Sequence, residues 1–292
     1  MKLINVKYNS EERIGILLEN QDVRFFKKDK TLMDIIEKVM EIPFAEREEH
    51  LLAAAGNEIA PLGEYEILSP IVRPNKDILC VGLNYTEHIK ESQSVTAYNG
   101  VDADYTTYFG KRADYIRATG ETIQCLSGID PEMDYEVELT VIIGKKGRGI
   151  SKENALEHVF GYTVGNDLSS RTLQRNHKQW YLGKSLDGYT AMGPCVLLND
   201  DGKHKDFALT SRIDGEVRQA SDTKHMIKPV EAIIYELSKG MTLFPGDIIM
   251  TGTPAGVGMG FKPGKFMKEG TKVECEIEGI GILENLITEH DI

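Results

Sequence analysis

The chain has 292 residues, with 34 Lys and Arg against 46 Asp and Glu, a formal net charge of −12. A hydrophobic share of 41% beside 27% charged residues is that of a globular protein with enough chain for a sizeable core, and it excludes wholesale disorder. The negative balance argues against a nucleic-acid binder and against a protein held on an anionic membrane, since both need clustered basic residues.

Residues 1–70 read as a small appended α+β domain. The opening MKLINVKYNS carries neither the apolar core nor the cleavage site of a secretory signal. No apolar run reaches the roughly 18–20 residues of a membrane-crossing helix, so the expectation is a cytoplasmic protein with no membrane partner. RIGILL and DVRFF alternate as strands. Leu32, Ile35, Ile36 and Val39 share one face of a helix from Thr31 to about Met40, and the charged AEREEH leads into another. The unit ends near Pro70.

Residues 71–292 show short strands separated by glycine-rich turns, among them DILCVGL, EVELTVIIG, GYTVGND, GPCVLL and GDIIMTGT. Helical interruptions are few, notably KENALEHVF and VEAIIYELSKG, the second closing at Gly240 as a C-cap. A strand-dominated chain of this length resolves as a rolled sheet or barrel rather than a βαβ sandwich. Cys80, Cys125, Cys195 and Cys275 lie far apart without a CxxC pair and read as buried, reduced thiols.

Within this part, CVGLNYTEHIKES opens a helix at Asn84 or Thr86 that places His88 and Glu91 at i and i+3 on one face. On a surface helix such a pair has no particular role. If enclosed, Glu91 orients the imidazole and raises its basicity, making His88 a general base.

In DYEVELTVIIG, residues 134–144, Tyr135, Val137, Leu139 and Val141 point one way and Glu136, Glu138 and Thr140 the other. An edge strand with one solvated face would show this pattern too. The apolar VIIG argues for a central strand, where adjacent carboxylates repel and are costly to desolvate. A divalent cation such as Mg²⁺, Mn²⁺ or Ca²⁺ is the simplest compensation. Asp167 follows a buried strand over 160–164. It either caps the helix after Ser169 and Ser170 or completes a three-carboxylate face with positions open to water and substrate.

Lys184 and Asp187 sit among small residues in WYLGKSLDGYTAMGPC. GDIIMTGTPAGVGMG is either a plain strand-to-strand loop or a run of backbone N–H groups suited to a carboxylate or enolate; it fits no nucleotide phosphate loop.

Taken in order, GLNYTEHIKE, DYEVELTVIIGKKGRGI, GYTVGNDLSSR, GKSLDGYTAMGP, PGDIIMTGTPAGVG and VECEIEGIGILENLI resemble the fumarylacetoacetate hydrolase family over residues 71–292. The first 70 residues look like the appended domain of its longer bacterial members. The resemblance implies a rolled mixed β-sheet, a β-roll or barrel core, assembled as a homodimer. It implies one Mg²⁺ or Mn²⁺ per subunit on Glu136, Glu138 and Asp167, with His88 and Glu91 on a lid over residues 84–100. Lys184 matches the lysine beside the metal. Asn84, Tyr85, Lys111, Arg171, Asp187, Gly252 and Thr253 would then contact a small 2-oxo acid. Thr172 stands where the family usually has Asp, Lys111-Arg112 where it has Lys-Pro, and the polar stretch from Gln219 to Met226 is a further individual feature. These departures spare the metal set and bear on the substrate.

The implied activity is metal-dependent hydrolysis of a C–C bond in an acylpyruvate-like β-diketo acid, through an enolate that the cation stabilises. His88, oriented by Glu91, would activate water; Lys184 would stabilise oxyanion charge; the TGTP loop would hold the carboxylate. The same site would serve a 2-hydroxyhepta-2,4-diene-1,7-dioate-type isomerase or an oxaloacetate decarboxylase. A non-catalytic binding protein is disfavoured, because all five residues of the metal set and the histidine–glutamate pair are present.

Overall fold

The computed structural model of the chain describes residues 1–95 and 105–289. The first seventy residues hold β1 (Lys2–Tyr8), β2 (Glu11–Leu17), β3 (Val23–Phe25), helices α1 (Leu32–Val39) and α2 (Phe44–Ala54), and the short β4 (Ile59–Ala60) and β5 (Glu66–Ile67). Helix α1 starts where expected because Thr31 and Asp34 cap each other: the Thr31 hydroxyl accepts from Asp34 N–H and the Asp34 carboxylate from Thr31 N–H. Its buried face, Leu32, Ile35, Ile36 and Val39, packs on Leu3, Ile14, Ile16 and Phe160.

The remaining elements are β6 (Ile78–Gly82), α3 (Thr86–Val95), β7 (Thr107–Lys111), β8 (Thr122–Cys125), β9 (Met133–Asp134), β10 (Val137–Ile143), β11 (Val159–Asn166) and β12 (Ser169–Ser170). They continue with α4 (Arg171–His177), α5 (Tyr181–Lys184), β13 (Ala191–Leu198), β14 (Ala208–Ile213), β15 (Glu216–Asp222) and α6 (Val230–Ser238). The last strands are β16 (Ile248–Met250), β17 (Lys272–Ile277) and β18 (Gly281–Glu289).

The architecture is mainly β and mixed, as expected. An 11-stranded sheet runs β4-β3-β2-β1-β13-β11-β10-β16-β6-β7, with β5 beside β1, and a five-stranded sheet runs β15-β14-β17-β18-β8. Among the described residues the large sheet ends at β4 and β7 and does not close into a barrel. Its strands pair antiparallel except β16 with β6. Strands β1–β4 extend this same sheet, joined to it where β1 pairs with β13.

Strand β10 lies between β11 and β16, and all its residues are buried, which excludes the edge-strand alternative. Val137, Leu139 and Val141 share one core with Leu209, Val273, Ile277 and Ile287 of the smaller sheet. That packing turns Glu136 and Glu138 to the opposite side.

Two helix assignments need correction. KENALEHVF yields only a 3₁₀ turn, Ala155–His158, because Val159 already pairs with Ile143 in the sheet. Gly240 provides no left-handed cap: α6 ends through Lys239 in right-handed helical geometry, with Met241 N–H bonded to Leu237 O at 3.2 Å. The four cysteines are buried and unbridged, and no helix among the described residues is long and apolar enough to cross a membrane.

Candidate active site

Antiparallel pairing of Val137 with Asn166 brings the start of β10 against the end of β11, and Asp167 N–H bonds back to Glu136 O at 3.0 Å. One carboxylate oxygen each from Glu136, Glu138 and Asp167 then fall within 4.8 Å of one another, all on buried residues. The cap on α4 is Ser170, whose hydroxyl accepts from Leu173 N–H, so Asp167 is not the capping residue.

Three buried cations surround these acids. Lys184 Nζ stands 2.5 Å from Glu136 Oε2 and 2.6 Å from Asp167 Oδ2. Lys111 Nζ lies 2.6 Å from Asp167 Oδ1 and donates to Leu168 O at 3.0 Å. Arg171 donates through one terminal nitrogen to Glu136 Oε1 at 2.6 Å and through Nε to Asp134 Oδ2 at 2.8 Å. Among the described residues Glu138 receives no cationic side chain; its Oε2 accepts from Gly252 N–H at 2.7 Å.

Ionisation follows this unequal provision. Burial opposes the Glu136 carboxylate, but Lys184, Arg171 and His88 together pull it down to about 2. Glu138 is pushed well above the carboxylate range by burial, then by Asp167 and Glu136. Burial works against the Lys184 ammonium, yet Asp167 and Glu136 hold it up at about 12. Burial pulls Lys111 below the usual lysine range in spite of Asp167. A trio of hard oxygens, one of them short of positive charge, is a donor set that fits a hard divalent cation.

The proton-transfer pair is enclosed. His88 is 5% exposed, and its Nδ1 lies 3.0 Å from Glu91 Oε2. With Nδ1 donating to that carboxylate, Nε2 is left as the basic nitrogen. Glu91 Oε1 in turn accepts from Gly256 N–H at 2.9 Å. His88, Glu136, Glu138, Arg171, Lys184 and Thr253 wall one cavity of about 730 Å³. Asp167 and Glu91 stand one contact behind that wall, through Lys184 and His88 respectively, and Lys111 stands behind Asp167.

Other residues expected to contact substrate are engaged in bonds of their own or lie away from the cavity. The Asn84 side chain is consumed in holding two loops, donating to Thr251 O at 2.7 Å and Lys228 O at 3.0 Å and accepting from Lys228 N–H at 2.8 Å. Tyr85 is buried, with a hydroxyl that finds no hydrogen-bond partner among the described residues. Asp187 is exposed in the turn after α5 and is not part of the cavity wall. Gly252 offers its N–H to Glu138 instead of to a ligand, and its φ of +98° and the proximity of the Asn84 Cβ leave no room for a side chain. Arg171 reaches the cavity but is committed to Asp134 and Glu136. Residues 96–100 of the expected lid lie outside the described residues.

Sequence reasoning missed several contributors. Asp134 continues the period of two back from Glu138 and Glu136, a signal that was available; it is fully buried and accepts from Arg171, Tyr135 N–H, Gly258 N–H and Met259 N–H. Gln219 fastens the TGTP loop to β10, accepting from Val137 N–H at 3.1 Å and donating to Thr253 Oγ1 at 2.7 Å and Pro254 O at 2.8 Å. Trp180 meets Phe109 edge-to-face with ring centroids 5.2 Å apart, and both line the cavity. Gln219 opens the polar stretch already noted in the sequence, but nothing local gives its bonding role, and neither pattern nor spacing marks Trp180 and Phe109.

A family model described as fumarylacetoacetate (FAA) hydrolase C-terminal matches residues 77–288. The chain is 41% identical over 236 residues to the oxaloacetate tautomerase YisK of Bacillus subtilis, covering 80% of this chain and 76% of the relative. It is 37% identical over 254 residues to the mitochondrial oxaloacetate tautomerase Fahd2a of Rattus norvegicus, covering 84% and 79%. Among solved structures, a fumarylacetoacetate hydrolase from Exiguobacterium antarcticum superposes with a TM-score of 0.83 at 34% identity, covering 99% of this chain and 100% of that one. A 2-hydroxyhepta-2,4-diene-1,7-dioate isomerase from Mycobacterium marinum does so with a TM-score of 0.72 at 27% identity, covering 99% and 98%.

Proposed function

The chain belongs to the fumarylacetoacetate hydrolase family, and from that premise we propose that it catalyses keto–enol proton transfer in a 2-oxo acid of the oxaloacetate class. The observation that carries the reading is that His88, backed by Glu91, lines one cavity with Glu136 and Glu138, which Asp167 joins in the three-carboxylate cluster. The oxaloacetate tautomerases among its relatives support the choice of substrate class.

A Mg²⁺ or Mn²⁺ ion held by Glu136, Glu138 and Asp167 would supply Lewis-acid polarisation of the 2-oxo group. His88 Nε2 takes the proton from C3 as the C2–C3 double bond forms, and a proton returns to the C2 oxygen; the reverse direction uses the same atoms. Glu91, fixed by Gly256 N–H, stabilises the imidazolium between the two transfers. Lys184 stays charged between Glu136 and Asp167, so its part is electrostatic, a fixed positive charge for the developing enolate. Trp180 and Phe109 supply an apolar wall that limits water.

Acylpyruvate hydrolysis, the activity expected from the family resemblance, would turn the same pair on a water instead of C3. The deciding assay follows decay of enol-oxaloacetate with Mn²⁺, beside acylpyruvate cleavage and CO₂ release from oxaloacetate. The expected result is accelerated enol decay that falls about 10²–10⁴-fold in His88→Gln, with Mn²⁺ affinity nearly unchanged. Faster acylpyruvate cleavage or decarboxylation than tautomerisation sinks the proposal.

A further inference from the structure

The two halves of the site stand on separate elements, the carboxylates on β10 and β11 and the proton-transfer pair on α3. Besides the Asn84 bond to Thr251, what joins them is backbone. Residues 256–260, ending in a 3₁₀ turn over Gly258–Gly260, run between Glu91 and Asp134. On one side Gly256 N–H donates to Glu91 Oε1 at 2.9 Å. On the other, Gly258 N–H donates to Asp134 Oδ1 at 2.6 Å and Met259 N–H to Asp134 Oδ2 at 3.0 Å. Tyr135, the neighbour of Asp134, adds a bond from its hydroxyl to Gly256 O at 3.0 Å.

The packing leaves the strap no slack. A Cβ at Gly258 would meet Asp134 Oδ1 at 2.6 Å, and one at Gly260 would collide with the Glu91 carboxylate. From Asp134 the chain of contacts continues through Arg171 Nε to the Arg171–Glu136 bond at 2.6 Å. Charge-assisted bonds to buried acceptors are short and directional, so each link transmits position.

We propose that Asp134 is a positioning residue that sets the His88–Glu91 pair in register with the carboxylate cluster, acting through the backbone of residues 256–260. The proposal rests on the reading of that pair as the proton-transfer device, and it adds the element that fixes the pair's distance from the metal ligands. Asp134 touches no substrate; it acts by holding Arg171 against Glu136 and the strap against Glu91.

The test begins with Asp134→Asn, which keeps the size of the side chain but replaces one acceptor oxygen with an NH₂ group that can only donate. Residue-resolved amide exchange is followed at Gly256, Gly258 and Met259, a readout independent of any substrate. Exchange at Gly258 and Met259 should accelerate, and Gly256, which Asp134 does not touch, should accelerate about tenfold with them. Unchanged exchange at Gly256 overturns the proposal.

A rate cycle supplies the second readout. Asp134→Asn should slow turnover about 10–100-fold, yet cost almost nothing further in the Glu91→Gln background, because both changes break the same coupling. Costs that simply multiply would indicate a general structural role and overturn it. If the wild-type protein fails to tautomerise oxaloacetate, the functional reading falls while the exchange experiment still decides this one. Should Asp134→Asn not fold, Gly258→Ala pushes the strap off both Lys265 O and Asp134; faster exchange at Gly256 is expected there too, and unchanged exchange overturns the proposal.

Discussion

Burial is equally complete in two regions of the large sheet and means something different in each. Where β1 and β2 pack beneath α1, the buried side chains are Leu3, Ile14, Ile16 and Ile36, held by area removed from water. Where β10 and β11 meet the cavity, they are Glu136, Glu138, Asp167, Lys111 and Lys184. There the charges are answered by neighbours, Lys184 by Glu136 and Asp167, Lys111 by Asp167 and Arg171 by Glu136, and among the described residues Glu138 alone of these five lacks an opposite charge in contact. Deleting an apolar side chain loses its own contacts. Deleting a charge also leaves its partner buried and uncompensated, which costs more. Burial alone therefore does not distinguish a packing core from a site; the state of the partners does.

The largest way to expose that difference is Lys184→Met. It strips the ammonium from two buried carboxylates at once and is expected to destabilise the metal-free protein by about 3–5 kcal/mol, read from urea unfolding. Added Mn²⁺ should recover a large part of the loss, since a cation can replace the missing charge. A loss below that of an ordinary cavity would contradict the contrast. Next comes Ile36→Ala in the apolar region, expected to cost about 3 kcal/mol. Here Mn²⁺ should restore nothing specific, and turnover per folded molecule should match the parent.

The third experiment reverses the sign. Burial, Asp167 and Glu136 hold the folded Glu138 pKa well above its ordinary value of 4.5. A raised folded pKa contributes stability that is fully present below the unfolded pKa and lost as pH rises through the folded one. The metal-free protein should accordingly lose stability as pH climbs above about 4.5, the region in which the unfolded carboxyl ionises. Glu136, held down to about 2, works oppositely, its contribution being present above about 4.5 and lost as pH falls towards 2. Glu138→Gln should stabilise the metal-free protein at neutral pH by about 1–2 kcal/mol while abolishing tight Mn²⁺ binding. Greater stability at the expense of a ligand would mark Glu138 as kept for chemistry; a destabilised metal-free variant would refute that.

Much of both regions was legible beforehand, for local reasons. Thr31, Asp34 and the four-residue apolar face specify α1, and the alternation in DYEVELTVIIG separates Glu136 and Glu138 from Val137 and Leu139. What escaped was non-local. Asp134 matters because backbone amides 124 and 125 residues away turn towards it, and Gln219 because its amide reaches Val137 and Thr253 from another sheet. Asn84 and Gly252 lie beside the site, yet their polar groups were already taken by backbone and by Glu138. KENALEHVF failed for a related reason, since pairing with β10 outweighed its helical composition.

The smallest effect belongs to Thr31→Ala, and it asks whether the two regions unfold together. The substitution removes the hydroxyl that accepts Asp34 N–H and leaves the packed face of α1 untouched, so the cost is that of one N-cap, about 1 kcal/mol. Thr31 lies far along the chain from the cavity, but β1 is bonded to β13 and β13 to β11, the strand that leads into Asp167. One continuous hydrogen-bonded sheet should lose its two ends cooperatively. Trp180, the chain's single tryptophan, lines the cavity, so its fluorescence reports the site while far-UV circular dichroism reports the whole molecule. Both transitions should move to lower urea by the same amount in Thr31→Ala, with turnover unchanged. If only the dichroism moves, residues 1–70 open on their own, and the apolar region is a separate folding unit that shares a sheet with the site without sharing its stability.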